Sequence, residues 1–233
     1  MISAEDYLNG QVLLIDKPYK WSSFQALNAV KWAIRKKFDF NKKFKIGHAG
    51  TLDPLATGLL VICTGKFTKK IPELQGQVKE YTGTITLGAT TPSYDLETAV
   101  DKTYPTSHIT EQAVSEIRPE FIGKIEQIPP LFSALKKDGK RLYEYAREGK
   151  DVKIQSRVIE ILDFEITRFE MPVVDFRVVC SKGTYIRSLA HDFGKALNSG
   201  AYLSALRRTK IGDFNVSKAV TPEVFKQNLG SNG

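Results

Sequence analysis

One acid stands where the composition of the chain is most unusual. Residues 45–58 read KIGHAGTLDPLATG, with three glycines and one proline, and Asp53 lies among them. A carboxylate held in a loop between two structured regions can act as a nucleophile. An aspartate ahead of proline also stabilises a turn, and these residues alone leave both readings open. A second segment, KGTYIRS at 182–188, reads as a Gly-Thr turn entering a helix. Its unpaired backbone N–H groups would suit a phosphate. Arg187 falls on the first turn of that helix, facing either solvent or an acid elsewhere in the fold. Tyr81 sits on a strand with its ring at least half buried, as a core residue or a binding platform. His48 lies five residues before Asp53, in the same glycine-rich loop.

These side chains need elements to position them. GQVLLID at 10–16 reads as a strand, which Lys17-Pro18 breaks. Ser22 can cap the next helix, with Gln25 completing a capping box. Phe24, Leu27, Val30 and Ile34 then recur at helical spacing to about Lys37. Residues 45–58 are expected as loop, residues 59–64 (LLVICT) as a buried strand, and Thr68 to Leu74 as a helix. In KEYTGTITL at 79–87, Tyr81, Ile85 and Leu87 share one strand face. A polar stretch from Gly88 to Ser107 leads to a helix capped by Thr110 and running to about Phe121.

Residues 128–140 read as loop, and Arg141 to Arg147 as a short helix. Two or three strands are expected in 152–180. Residues 181–197 predict a turn into a helix with Ile186, Leu189, Ala190 and Phe193 inward. Strands over 202–216 and a helix from Pro222 to Leu229 complete the chain. Strands and helices mix without regular βαβ alternation, which predicts an α+β fold with a largely antiparallel sheet.

Composition narrows the partners. The 233 residues suffice for one large domain or two small ones. No run of 18 apolar residues predicts a transmembrane helix. The start, MISAEDYLNG, lacks a basic region followed by an apolar stretch, so no secretory signal is expected and the cytosol is the default location. Cys63 and Cys180 lie in apolar runs and read as buried thiols. With only three scattered histidines, they offer no metal-ligand spacing. The net charge of +8 and pI near 9.3 raise the odds of a polyanionic partner. The charge is clustered at Arg35-Lys36-Lys37, Lys42-Lys43, Lys69-Lys70, Lys136-Lys137, Lys140-Arg141 and Arg207-Arg208, with aromatics interleaved.

Five stretches, in this order, resemble the tRNA pseudouridine-55 synthase family of the TruB type. They are LLIDKPYKWSS; KIGHAGTLDPLATGLLVICTG; KEYTGTITLG followed by Asp95; PPLFSALKKDGKRLYEYAREG; and CSKGTYIRSLAHDFGKAL with LRRTKIGDF. The resemblance runs from about Gly10 to Phe214. It implies a pseudouridine-synthase fold, a mixed, largely antiparallel sheet flanked by helices, in a single catalytic domain over residues 1–233. It implies an isomerase that converts uridine 55 in the tRNA T-stem-loop to pseudouridine by base flipping. Asp53 matches the aspartate that attacks the uridine, and Arg187 the arginine that pairs with it. Tyr81 matches the tyrosine stacked on the target base. His48 matches the histidine that takes the flipped base's place in the RNA stack. Lys17, with Pro18, and Lys69 and Tyr185 match positions that shape the pocket. Leu206 matches an apolar residue packed beside the base.

The chemistry is consistent with such a site. Breaking an N–C glycosidic bond and rejoining the base through C5 involves no redox change, so no cofactor and no metal are expected. No P-loop or dinucleotide fingerprint is present. A buried aspartate tends towards a raised pKa, which an adjacent arginine opposes; Asp53 and Arg187 therefore make sense as a pair. The basic segment 123–151, with Tyr143 and Tyr145, is expected to be a mobile insertion that closes over the RNA loop. Two features depart from the family pattern. The chain ends about 20 residues after LRRTKIGDF, leaving no room for an RNA-binding PUA domain, and Phe132 stands where a tyrosine is common. A non-catalytic RNA-binding or RNA-folding module and a guide-RNA-dependent synthase subunit are the alternatives. No obligate protein partner is expected.

Overall fold

The computed structural model describes residues 2–150 and 152–230. In chain order, α1 (Ala4–Asn9), β1 (Val12–Lys17) and the long α2 (Ser23–Phe38) come first. Next are β2 (Ile46–His48), β3 (Ala56–Thr64), a 3-10 helix over Gly65–Lys70, α3 (Ile71–Gly76) and β4 (Lys79–Leu87). The middle holds β5 (Ala89–Thr90), β6 (Lys102–Thr103), α4 (Glu111–Ile117), β7 (Gly123–Gln127), the hairpin strands β8 (Lys136–Lys137) and β9 (Lys140–Arg141), and α5 (Leu142–Arg147). The rest comprises β10 (Arg157–Glu170), β11 (Val173–Cys180), α6 (Ile186–Ala196), β12 (Ala201–Ile211), β13 (Phe214–Asn215) and α7 (Pro222–Gly230). The expected α+β class with a mixed, largely antiparallel sheet is what these elements form. The chain divides into two compact units: Met1–Tyr81 with Leu206–Gly233, and Thr82–Ala205.

The first unit is built around β3. On one side β1 pairs antiparallel with it, Ile15 opposite Leu60. Its other edge is shared. β2 pairs there antiparallel at the far end, His48 opposite Ile62. β12 pairs there in parallel at the near end, Leu206 opposite Ala56 and Arg208 opposite Gly58. Apolar clusters cover β3 on both faces. One contains Leu60 and Ile62 with Leu27, Val30 and Ile34 of α2. The other contains Leu59 and Val61 with Ile211. A strand buried on both faces does not alternate, which is why LLVIC reads as a continuous apolar run.

In the second unit the strand order is β4-β11-β10-β7. β10 pairs antiparallel with both β7 and β11. Ile186, Leu189, Ala190 and Phe193 of α6 are buried as expected. Phe193 meets Phe164 of β10 edge-on at 5.5 Å and Phe121 at 5.4 Å.

Several expectations need correction. The loop expected over 45–58 contains β2 and the start of β3; glycine content hid strands too short to show a pattern. The helix expected from Thr68 to Leu74 is a 3-10 turn followed by α3, with Pro72 near the join. The capping box of Ser22 and Gln25 forms, but Phe24 is 66% exposed. At about 100° per residue, Phe24 lies roughly 105° from the centre of the face that buries Ala26, Leu27, Val30 and Ile34. The loop at 128–140 ends in the β8–β9 hairpin. Of the basic segment 123–151, Asp151 lies outside the described residues.

Gly58 fixes how closely β12 approaches β3. Its φ is +101°, and a Cβ there would meet the Arg208 carbonyl oxygen at 2.3 Å and its nitrogen at 2.8 Å. Gly58→Ala is expected to cost at least ~2 kcal/mol of stability. Urea denaturation of the variant beside the parent measures this directly.

Candidate active site

The chain leaves the edge of β3 between its pairings with β2 and β12, and Asp53 lies on this excursion. Asp53 makes the turn through its backbone: its carbonyl oxygen accepts from Ala56 N at 3.1 Å. The side chain is half-buried. Its neighbours in sequence are tied down by side chains from elsewhere. Ser23 Oγ donates to Leu52 O at 3.0 Å and accepts from Leu52 N at 2.8 Å. Lys17 is fully buried, and its Nζ donates to Trp21 O at 2.5 Å, Pro18 O at 2.9 Å and Pro54 O at 3.3 Å.

The largest anchor is Arg208, which is only 1% exposed. Its Nε donates to Leu59 O at 2.8 Å, Nη2 to Gly50 O at 3.0 Å and Nη1 to Thr51 O at 3.4 Å. The guanidinium thus supplies donors where β3 has no strand beside it. In the sequence Arg208 is recognisable only as half of a basic pair. A signal was present: strand period 2 puts Arg208 on the same face as Leu206. Arg207, one residue earlier, faces the other way and forms a two-pronged pair with Asp16 at 2.6 and 3.0 Å.

Two buried cations beside one carboxylate set the local field. Burial pushes Lys17 down to about 8; the negative charge of Asp53 opposes the shift and the positive charge of Arg208 adds to it. His48, half-buried on β2, is lowered by burial and then by Arg208, so its ring is neutral at pH 7. Leu206 is half-buried on β12 opposite Ala56. Tyr81 is buried on β4, the last residue of the first unit before the chain passes to the second. Lys69 is exposed on the 3-10 helix and lines a groove with Lys43, Lys45 and Lys66.

In the second unit, Arg187 sits on the first turn of α6, as expected. It is 4% exposed, and its Nε lies 3.6 Å from Oδ2 of Asp95, itself 8% exposed. Its Nη1 donates to Phe132 O at 3.0 Å and Ser93 O at 3.3 Å. Asp95 is therefore an acid facing Arg187, a role the sequence reading did not assign. The carboxylate of Asp95 also accepts from Glu97 N at 2.9 Å. Tyr185 starts α6, exchanging two backbone hydrogen bonds with the buried Gln127 side chain, and the Arg157 guanidinium lies 4.7 Å from its ring centre. Tyr143 and Tyr145 of the basic segment carry Arg147 and Lys140 over their rings at 5.2 and 4.9 Å. Among the described residues no group of acids, histidines and cysteines could hold a metal, and no helix is long and apolar enough to cross a membrane.

A sequence profile described as "TruB family pseudouridylate synthase (N terminal domain)" matches residues 35–186. The chain belongs to the TruB family. A second profile, "tRNA pseudouridylate synthase B C-terminal domain", matches residues 187–231. Among TruB relatives, the protein named tRNA pseudouridine synthase B of Flavobacterium johnsoniae is 65% identical, over 98% of this chain and 100% of its own length. The protein of the same name in Phocaeicola vulgatus is 53% identical, over 95% of this chain and 94% of its own. A solved Cbf5-Nop10-Gar1 complex contains a chain that is 30% identical with a TM-score of 0.68. The match covers 94% of this chain and 54% of that one.

The two buried ion networks give separate predictions. Between pH 8 and about 10.5 the folded protein has released the Lys17 proton while the unfolded chain still holds it. Stability contributed at this position therefore rises with pH across that window and is flat below it. The stability difference between the parent and Lys17→Met, measured by urea denaturation from pH 7 upward, should grow through it. Asp95→Asn leaves Arg187 buried beside a neutral amide, and should lower stability by ~3 kcal/mol. Thermal and urea unfolding test this, and a loss below ~1 kcal/mol would show that the pair carries little.

Proposed function

We propose that this chain is a tRNA pseudouridine synthase that isomerises uridine 55 of the T-stem-loop, with Asp53 as its nucleophile. Membership of the TruB family, with full-length relatives named tRNA pseudouridine synthase B, carries this reading. The geometry supports it. Buried donors hold the backbone on either side of Asp53, which is what aiming a carboxylate requires. Arg187 pairs with Asp53 in this reading, keeping it ionised.

A uridine inside a folded RNA loop is out of reach until it is flipped out, at a cost of a few kcal/mol. Tyr81 receives the base, returning ~1–3 kcal/mol by stacking, and Leu206 packs beside it. His48, uncharged and stiffly placed on β2, fills the gap left in the RNA stack. Lys17, Lys69 and Tyr185 shape the pocket in this reading. The glycosidic N–C bond breaks, the base turns, and C5 bonds to the ribose. The proton lost from C5 is balanced by one gained at N1. No electron is transferred, so we assign no cofactor. The basic segment from Gly123 on closes over the RNA loop. The enzyme works in the cytoplasm, without an obligate protein partner.

Purified protein and a tRNA transcript test this, with Asp53→Asn as the comparison. The parent should form pseudouridine at position 55, and the variant should lose more than ~10³-fold in rate while still binding RNA. Equal turnover by the two would overturn the assignment.

A further inference from the structure

Apart from Lys69, one built feature of the first unit has no role in the reaction. A groove of about 550 Å³ is lined by Lys43, Lys45, Lys66 and Lys69 together with Phe40 and Phe44. The aromatic rings are fixed: Phe40 and Phe44 lie 4.9 Å apart, and both pack onto the core under α2. Lys66 Nζ donates to Asn9 Oδ1 at 2.9 Å. None of the ion pairs among the described residues involves Lys43, Lys45 or Lys69. Asp39 is the one acid on the wall. Four lysines line one cavity against a single carboxylate, and their like charges repel one another. Burial of apolar surface does not require them, and a polyanion would relieve them. Lysine is a point charge without the planar fork that reads base edges, so the matching chemistry is a phosphate backbone.

The groove's position links it to the active site. β2 begins directly after Lys45 and ends at His48. Three residues of strand span about 10 Å, so one RNA strand can reach from one to the other. We propose that this groove is a subsite for the phosphodiester backbone of the RNA strand that continues from the nucleotides beside His48. The subsite rests on the tRNA synthase reading, and it adds a contact that tightens RNA binding without touching the reacting base.

The test is equilibrium binding of a T-stem-loop RNA between about 50 and 200 mM salt, with turnover measured on the same preparations. K43Q/K45Q should bind about tenfold more weakly at the low-salt end. Its plot of log affinity against log salt should be shallower by roughly 1.4, from ~0.7 per lost contact on a single strand. K218Q/K226Q removes the same charge from exposed positions elsewhere on the unit and should keep the parent slope. K43R/K45R keeps the charge and should bind as the parent does. A parent-like slope in K43Q/K45Q overturns the subsite, as does a loss in K43R/K45R equal to that of the glutamine variant. A parent that binds RNA but forms no pseudouridine fails the function reading instead, and the slopes still decide the groove.

Discussion

Arg208 donates to three backbone carbonyls that no strand is placed to pair. β2 and β12 share one edge of β3 but do not meet, and in the gap between them the chain departs to carry Asp53. An irregular segment packed against a buried edge would leave carbonyl groups unsatisfied, each costing ~1–3 kcal/mol. The guanidinium reaches Gly50, Thr51 and Leu59 from a single side chain. Lys17 and Ser23 treat the stretch through Leu52 and Pro54 in the same way. The loop is irregular in shape, yet its backbone is held at Gly50, Thr51, Leu52 and Pro54, so a residue on it can be positioned as chemistry requires.

The same anchors set the charge around the site. Lys17 and Arg208 meet carbonyl dipoles rather than carboxylates, so their positive charge is left to act on what lies nearby. Burial lowers the His48 pKa and the charge of Arg208 lowers it further, while Lys17 feels the opposing charge of Asp53. Arg187 is built differently: it is buried with an acid of its own, Asp95, and with two carbonyls. An arginine held from behind in this way keeps its orientation whether or not a second acid meets it.

Much of the fold could be read from the chain because its elements are locally determined. Ser22 and Gln25 cap α2, LLVIC is buried on both faces, and Ile186 to Phe193 follow helical spacing. Failures came where long-range contacts outweighed local pattern. β2 is only three residues long and exists because β3 offers it an edge. Phe24 matched the apolar spacing and was turned outward by the wider helix face. For the proposed site, motif resemblance singled out Asp53, Arg187 and Tyr81, which composition alone left ambiguous. Arg208 and Asp95 went unassigned because a buried ion looks the same in sequence as an exposed one. Only its partners, 149 to 158 residues away for Arg208, distinguish it.

That separation bears on how the protein comes into being. The carbonyls of Gly50 and Thr51 emerge early from the ribosome, and the side chain that satisfies them follows 157 or 158 residues later. At ~5–20 residues per second the interval is roughly 8–30 s. The second unit, Thr82–Ala205, is complete in sequence before the first one is. The loop bearing Asp53 is therefore among the last parts of the nascent chain to acquire its lasting contacts. A chain truncated anywhere before β12 lacks the clamp, however much of the rest has folded.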